Sequence, residues 1–311
     1  MKTQEPAAPT LALALEQDAV LGEGLLWRHG RWWWTDIERA RLQAWAPGGS
    51  VQRWAMPDRL GCFAHCRSGR MLLGLAKRLA LGTLGDDGSL SGLQTLTAVD
   101  AAEPRTRIND GRTDRHGHFV FGTMNEAAER RPIGSFYQFS MRHGLRRLPL
   151  PAVAIANSIC FSVDGRRMYF CDTLTRTIQQ CDYDAESAQV ANVRPFAQIE
   201  EPNAWPDGSV IDREGFLWNA QWGAGRVRRY APDGRVAGEY AIDAPHASCP
   251  AIGGAALDTL AVTSARHELS REALAQQPLS GSLFSVQLPH ALGIEDSLFD
   301  DDAASLHGKA P

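Results

Sequence analysis

"SVIDREGFLWNAQWGAGRVRRYAPDGRVAGEYAI", residues 209–242, divides into four short strands: "SVIDRE", "FLWNAQW", "RVRRYAP" and "RVAGEYAI", with a turn between each and the next. The same reading holds one step upstream, in "SICFSV", "RMYFCDT", "TIQQCDYD" and "NVRPFAQ". Four strands joined by tight turns, repeated along the chain, are the unit of a β-propeller blade.

Working outward, five segments share a turn that ends in Gly and runs into a strand: "WRHGRWWWTDI", "CRSGRMLLGLA", "DRHGHFVFGTM", "SVDGRRMYFCDT" and "DREGFLWNAQW". Their glycines, Gly30, Gly69, Gly117, Gly165 and Gly215, stand 39, 48, 48 and 50 residues apart. A degenerate sixth copy, "GGAALDTLAVTSA", puts Asp258 at the turn and a strand over Thr259 to Ser264. Each copy continues into a second amphipathic strand, and helical periodicity is nearly absent. The expectation is an all-β chain, a six-bladed β-propeller with four-stranded blades; a β-sandwich is the runner-up. We expect residues 1–12 as an N-terminal tail, 13–295 as the propeller and 296–311 as an acidic C-terminal tail.

Composition excludes several classes. The 311 residues are 44% apolar and 22% charged, ordinary for a globular protein, and a net charge of −4 without a Lys/Arg-rich run gives no footprint for nucleic acid. The start, "MKTQEPAAPTLALALEQD", has an apolar run too short for a signal sequence or a membrane span, so a cytoplasmic protein is expected. Cys62, Cys66, Cys160, Cys171, Cys181 and Cys249 lie largely in apolar strand patterns and read as reduced, buried thiols. A monomer or weak homo-oligomer is expected, with a small molecule as partner.

Counting back from the turn glycines exposes a second repeat. Glu23 and Asp110 lie seven residues before theirs, and Asn109, Asn157 and Asp207 eight before theirs; the second copy has Cys62 there and the sixth Ser248 and Cys249 nearby. In a propeller the first strand of each blade lines the central channel, so these positions form a ring at one mouth. Oxygen donors without His or a clear thiolate suit a divalent cation such as Ca²⁺, with Mg²⁺ or Mn²⁺ as alternatives. Any one Asn or Asp before a turn is ordinarily a turn residue; four equivalent copies argue for a site. Glu23 stands between two glycines. The Trp32–Trp34 run reads as blade packing, and His116 and His118 as flanks of an outer turn. His65 and His246 have no partner at metal-ligand spacing.

At these residues the chain resembles the SMP-30/gluconolactonase/luciferin-regenerating-enzyme family, through "LGEGLLW" (21–27), "RINDGRTDRHGHFVFGTM" (107–124), "IANSICFS" (155–162), "WPDGSVIDREGFLWNAQWGAGRVRRYAPDGRV" (205–236) and "SCPAIGG" (248–254). The resemblance implies a six-bladed propeller that opens sugar lactones such as glucono- or arabinonolactones. It also implies one divalent metal, Ca²⁺ or Zn²⁺ and sometimes Mn²⁺ or Mg²⁺, on Glu23, Asn157 and Asp207. Arg107 and Asn109 are implied as substrate-binding, and Asn125 or Glu126 stands where family members carry a substrate-touching carboxylate. Leu25 replaces the proline that often follows the GEG motif.

Lactone hydrolysis needs an activated water and a stabilised oxyanion. Asp207 is the expected catalytic base as well as a ligand, with Asp110 second, and Arg107 suits a polyhydroxylated substrate. No G-x-S-x-G elbow is present, which disfavours a serine esterase. Two alternatives stand beside the lactonase: a promiscuous metal-dependent esterase or phosphotriesterase-like hydrolase, and a non-catalytic calcium-binding regulatory propeller.

Overall fold

The computed structural model describes residues 9–302. Six four-stranded antiparallel sheets form a closed ring in chain order, a six-bladed β-propeller. Positions 1–8 and 303–311 of the expected tails lie outside the described residues.

Strand composition follows position in the blade. The second strands, such as Phe119–Asn125 and Met71–Leu75, are buried along their whole length. Both faces of such a strand meet a neighbouring blade, so the sequence reads as a continuous apolar run and not as an alternation. Outer strands such as Leu90–Ala98 are mostly exposed and polar. Trp32, Trp33 and Trp34 are all buried, with Trp33 stacked on Trp54 at 5.4 Å between ring centres. All six cysteines are buried and free.

The five turn glycines read from the repeat all adopt positive φ, from 71° at Gly165 to 91° at Gly117. A side chain is strained there, which is why the repeat keeps glycine. Buried Asp114 and Asp212 hold two of these turns, each accepting two backbone N–H groups through Oδ1.

Both ends of the described chain tie the ring. Blade six takes its outer strand from Ala12–Leu15, which pairs with Leu283–Gln287, and Leu11 N–H already donates to Ala241 O of blade five. The segment 288–302 crosses the face opposite the site. It bonds to Asp258 and Leu257 of blade six, then to Arg213 of blade five, Arg112 of blade three and Arg28 of blade one. It ends on blade two, where Phe299 is fully buried and Asp301 meets Ser68 and Arg70. Residues 296–302, read from sequence as part of an acidic tail, therefore pack against the propeller: their acids answer a row of arginines that lie far away in the chain. Phe299→Ala should cost about 3–5 kcal/mol, the usual loss for emptying a buried aromatic site; denaturant unfolding of the full chain measures it.

Candidate functional site

In every blade the innermost strand slips register against its neighbour at the same place. The slips fall between Glu23 and Leu26, Leu60 and Cys62, Ile108 and Gly111, Asn157 and Cys160, Pro206 and Ser209, and Ala247 and Pro250. A β-bulge bends its strand and re-aims the side chains beside it. Here six bulges stand around one channel mouth, at the positions marked by the repeat. Two glycines follow from this geometry. Gly24 has φ +62°, and a Cβ on Gly208 would lie 2.9 Å from Cys249 Cα on the adjacent inner strand.

Glu23, Arg107, Asn109, Asn157 and Asp207 line one pocket of about 300 Å³. Asn109 Nδ2 donates to Asn157 Oδ1 at 3.2 Å, and Arg107 Nη1 donates to Asn109 Oδ1 at 2.7 Å. Asn157 Nδ2 donates to Thr173 Oγ1 at 2.9 Å, and that hydroxyl donates to Pro206 O at 3.0 Å. The Asn157 amide is thereby fixed with its oxygen toward Asn109. The backbone carbonyl of Asp207 accepts from Ser158 Oγ at 2.6 Å and Asn219 Nδ2 at 3.1 Å, which holds blades four and five together under the site.

Charge is concentrated here. Burial and the nearby Asp110 carboxylate push Glu23 up to about 8, and burial together with Glu23 and Asp110 raises Asp207 well above the usual carboxylate range. The two carboxyls stand close enough to act on each other. Burial also raises Asp110, whose Oδ2 accepts Ile159 N–H at 2.7 Å. Buried like charges cannot all ionise unless a cation joins them. The Arg107 guanidinium, buried in the pocket wall, is drawn down by desolvation.

Not every expected residue reaches the pocket. Asp110 lines a second, small cavity deeper in the channel, beside Arg112, Ser209 and Cys249. Asn125 is buried with both ends of its amide spent on its own loop, donating to Arg131 O and accepting from Ala127 N–H. Glu126 stands at the rim between Arg59, at 2.9 Å, and Arg107, at 3.4 Å, and reaches the pocket only through Arg107. His65 is packed on Trp33 and His29, where burial pushes it down to about 3. His246 stacks on the pocket residue Trp222 at 4.0 Å. Thr173, Trp205, Trp222, Arg130, His267 and Glu268 also line the pocket, with Leu21, Met124, Ile155 and Leu174 as its apolar part. They went unnoticed in the sequence because none falls at a repeated position. Among the described residues no group of three or more His, Cys, Asp and Glu side chains could hold a metal by itself; the set here is two carboxylates and amides.

The fold and site define a six-bladed propeller with a polar, acid-bearing pocket at one mouth of its channel. The chain belongs to the SMP-30/gluconolactonase/LRE-like family, whose model matches residues 21–266. It is 46% identical to the L-arabinolactonase of Azospirillum brasilense over 296 residues, 94% of this chain and 96% of that protein. It is 32% identical to the 6-deoxy-6-sulfogluconolactonase of Pseudomonas putida, over 93% and 98% of the two chains. Among solved structures it resembles a calcium-binding protein, regucalcin, from Agrobacterium tumefaciens, with TM-score 0.83 and 29% identity, covering 94% of this chain and 99% of that one.

Proposed function

We propose that the protein is a sugar lactonase that adds water to an aldonolactone and releases the aldonic acid. The observation that carries this reading is the convergence of Glu23, Asp207, Asn157, Asn109 and Arg107 on one pocket sized for a small sugar, in a chain nearly half identical to an arabinolactonase along almost its whole length. Hydrolysis of an aldonolactone panel, followed by a pH indicator, tests it. Absence of turnover on every lactone would favour the calcium-binding reading, which draws on the likeness to regucalcin. Turnover of simple esters or phosphotriesters alone would favour the promiscuous hydrolase.

The site fits a divalent cation. Half-buried Glu23 and buried Asp207 bring two carboxyls to one pocket, and the Asn157 amide lines the same pocket. Oxygen donors alone favour Ca²⁺, with Zn²⁺, Mn²⁺ or Mg²⁺ as alternatives. A divalent ion on Glu23, Asn157 and Asp207 would supply Lewis acidity for the lactone carbonyl and an acidified water. Asp207 takes the proton as the water oxygen attacks the carbonyl carbon. Arg107 and Asn109 hold the substrate's oxygens, and Arg107 offers fixed donors to the developing oxyanion. Collapse breaks the ring C–O bond, and the leaving ring oxygen becomes a hydroxyl by taking back the proton that Asp207 received from water.

Arg107→Ala should lower kcat/KM by tenfold or more, about 1.4 kcal/mol, with metal content unchanged. Steady-state kinetics with elemental analysis checks it. Loss of metal in that variant would assign Arg107 a structural role.

A further inference from the structure

Blade three and blade six face each other across the ring, since the blades are arranged in chain order. Blade three brings the cations Arg107 and Arg130 to the pocket, and blade six brings Glu268 with His267. The pocket is therefore polar at both ends and charged oppositely. Its side wall includes Trp222 of blade five, one of whose faces is covered by His246 at 4.0 Å and 15° between rings, so the rest of the indole is left to the pocket.

Glu268 is held there by a fixed loop. Arg266 N–H and His267 N–H both donate to Val20 O, at 3.0 and 2.8 Å, Leu269 N–H donates to Arg266 O, and Arg266 Nε reaches Ser280 O at 2.8 Å. Between these anchors Glu268 adopts φ +63°, a left-handed conformation that a residue with a long side chain keeps only when its surroundings impose it. Its side chain is 63% exposed at the mouth, with His267 Nε2 at 3.7 Å. The carboxylate therefore lines the pocket with acceptor capacity to spare.

We propose that Glu268 is a specificity residue that accepts hydrogen bonds from hydroxyl groups at the end of a sugar lactone remote from its carbonyl, along the Trp222 wall, and repels anionic groups placed there. The proposal rests on the lactonase reading. The same charge sets the direction of binding: the carbonyl, which becomes a carboxylate, is turned to the arginine end and away from Glu268. A carboxylate binds neutral hydroxyls through charge-assisted bonds and disfavours a second anion.

Glu268→Ala and Glu268→Gln are compared with the wild type on three lactones: an arabinonolactone, δ-valerolactone, which has no hydroxyls, and glucaro-1,4-lactone, which carries a carboxylate at its far end. In Glu268→Ala, kcat/KM on the arabinonolactone should fall about tenfold or more, mainly through KM, with δ-valerolactone little changed. In Glu268→Gln, the preference for the neutral over the anionic sugar lactone should shrink about tenfold. Equal effects on all three substrates, or none, would overturn the proposal and leave the lactonase reading standing. Calorimetric binding of arabinitol to the same proteins separates the two ideas. Binding that weakens in Glu268→Ala, in a protein that turns over no lactone, would sustain Glu268 as a polyol contact and end the lactonase reading. A wild type that neither hydrolyses lactones nor binds the polyol would end both.

Discussion

Asp207→Asn, assayed with saturating divalent cation, should lose about 10²-fold or more in kcat, the usual cost of removing a general base. Asparagine keeps the size and one oxygen donor, as Asn157 already offers, so the variant should still take up metal, more weakly for the lost charge. It cannot accept a proton from water. Its residual rate should therefore climb with pH as hydroxide replaces the base. The measurement is kcat against pH for both proteins, with metal occupancy fixed by elemental analysis. A loaded variant with near-normal kcat would leave Asp207 at most a ligand. Asp110 would then be a poor successor, because it lines the deeper cavity and not the pocket.

Exhaustive chelation should abolish turnover and leave the far-UV β signal largely intact, since six packed blades and the strap over residues 288–302 hold the scaffold. The pH dependence has a definite sign. Glu23 stands at about 8 in the metal-free protein, against 4.5 as its ordinary value. Between those values the folded chain keeps a proton that the unfolded chain has released, so this group makes stability fall as pH rises through the window. A divalent cation must displace that proton, so its binding strengthens as pH rises through this window. Melting curves with and without Ca²⁺ should show a small gain near pH 5 and a larger one above pH 8. Full activity after verified metal removal, or a thermal gain independent of pH, would defeat this reading of the carboxylate pair.

The sequence by itself determined whatever is local and repeated. Five of the six blades place a glycine in a left-handed turn and follow it with a largely buried strand, so Gly30 through Gly215 and the apolar runs behind them marked those blades, while the sixth holds Leu257 in that conformation. Because the innermost strands converge, one position repeated in four copies was enough to bring Glu23, Asn109, Asn157 and Asp207 together. Tertiary structure alone decided what depends on partners distant in the chain. Ala12–Leu15 completes blade six because Leu283–Gln287 offers it an open edge. The acids of residues 296–302 fold back onto arginines of blades two and three, since opposite charges pair irrespective of chain separation. Asn109 and Asp110, adjacent in sequence, were parted by a bulge into two different cavities. Asn125, plausible as a substrate contact by its motif, was claimed by the unpaired backbone groups of its own loop. Glu268 stood at no repeated position, and only closure of the ring set it across the pocket from Arg107, because facing blades share no sequence pattern, only an axis.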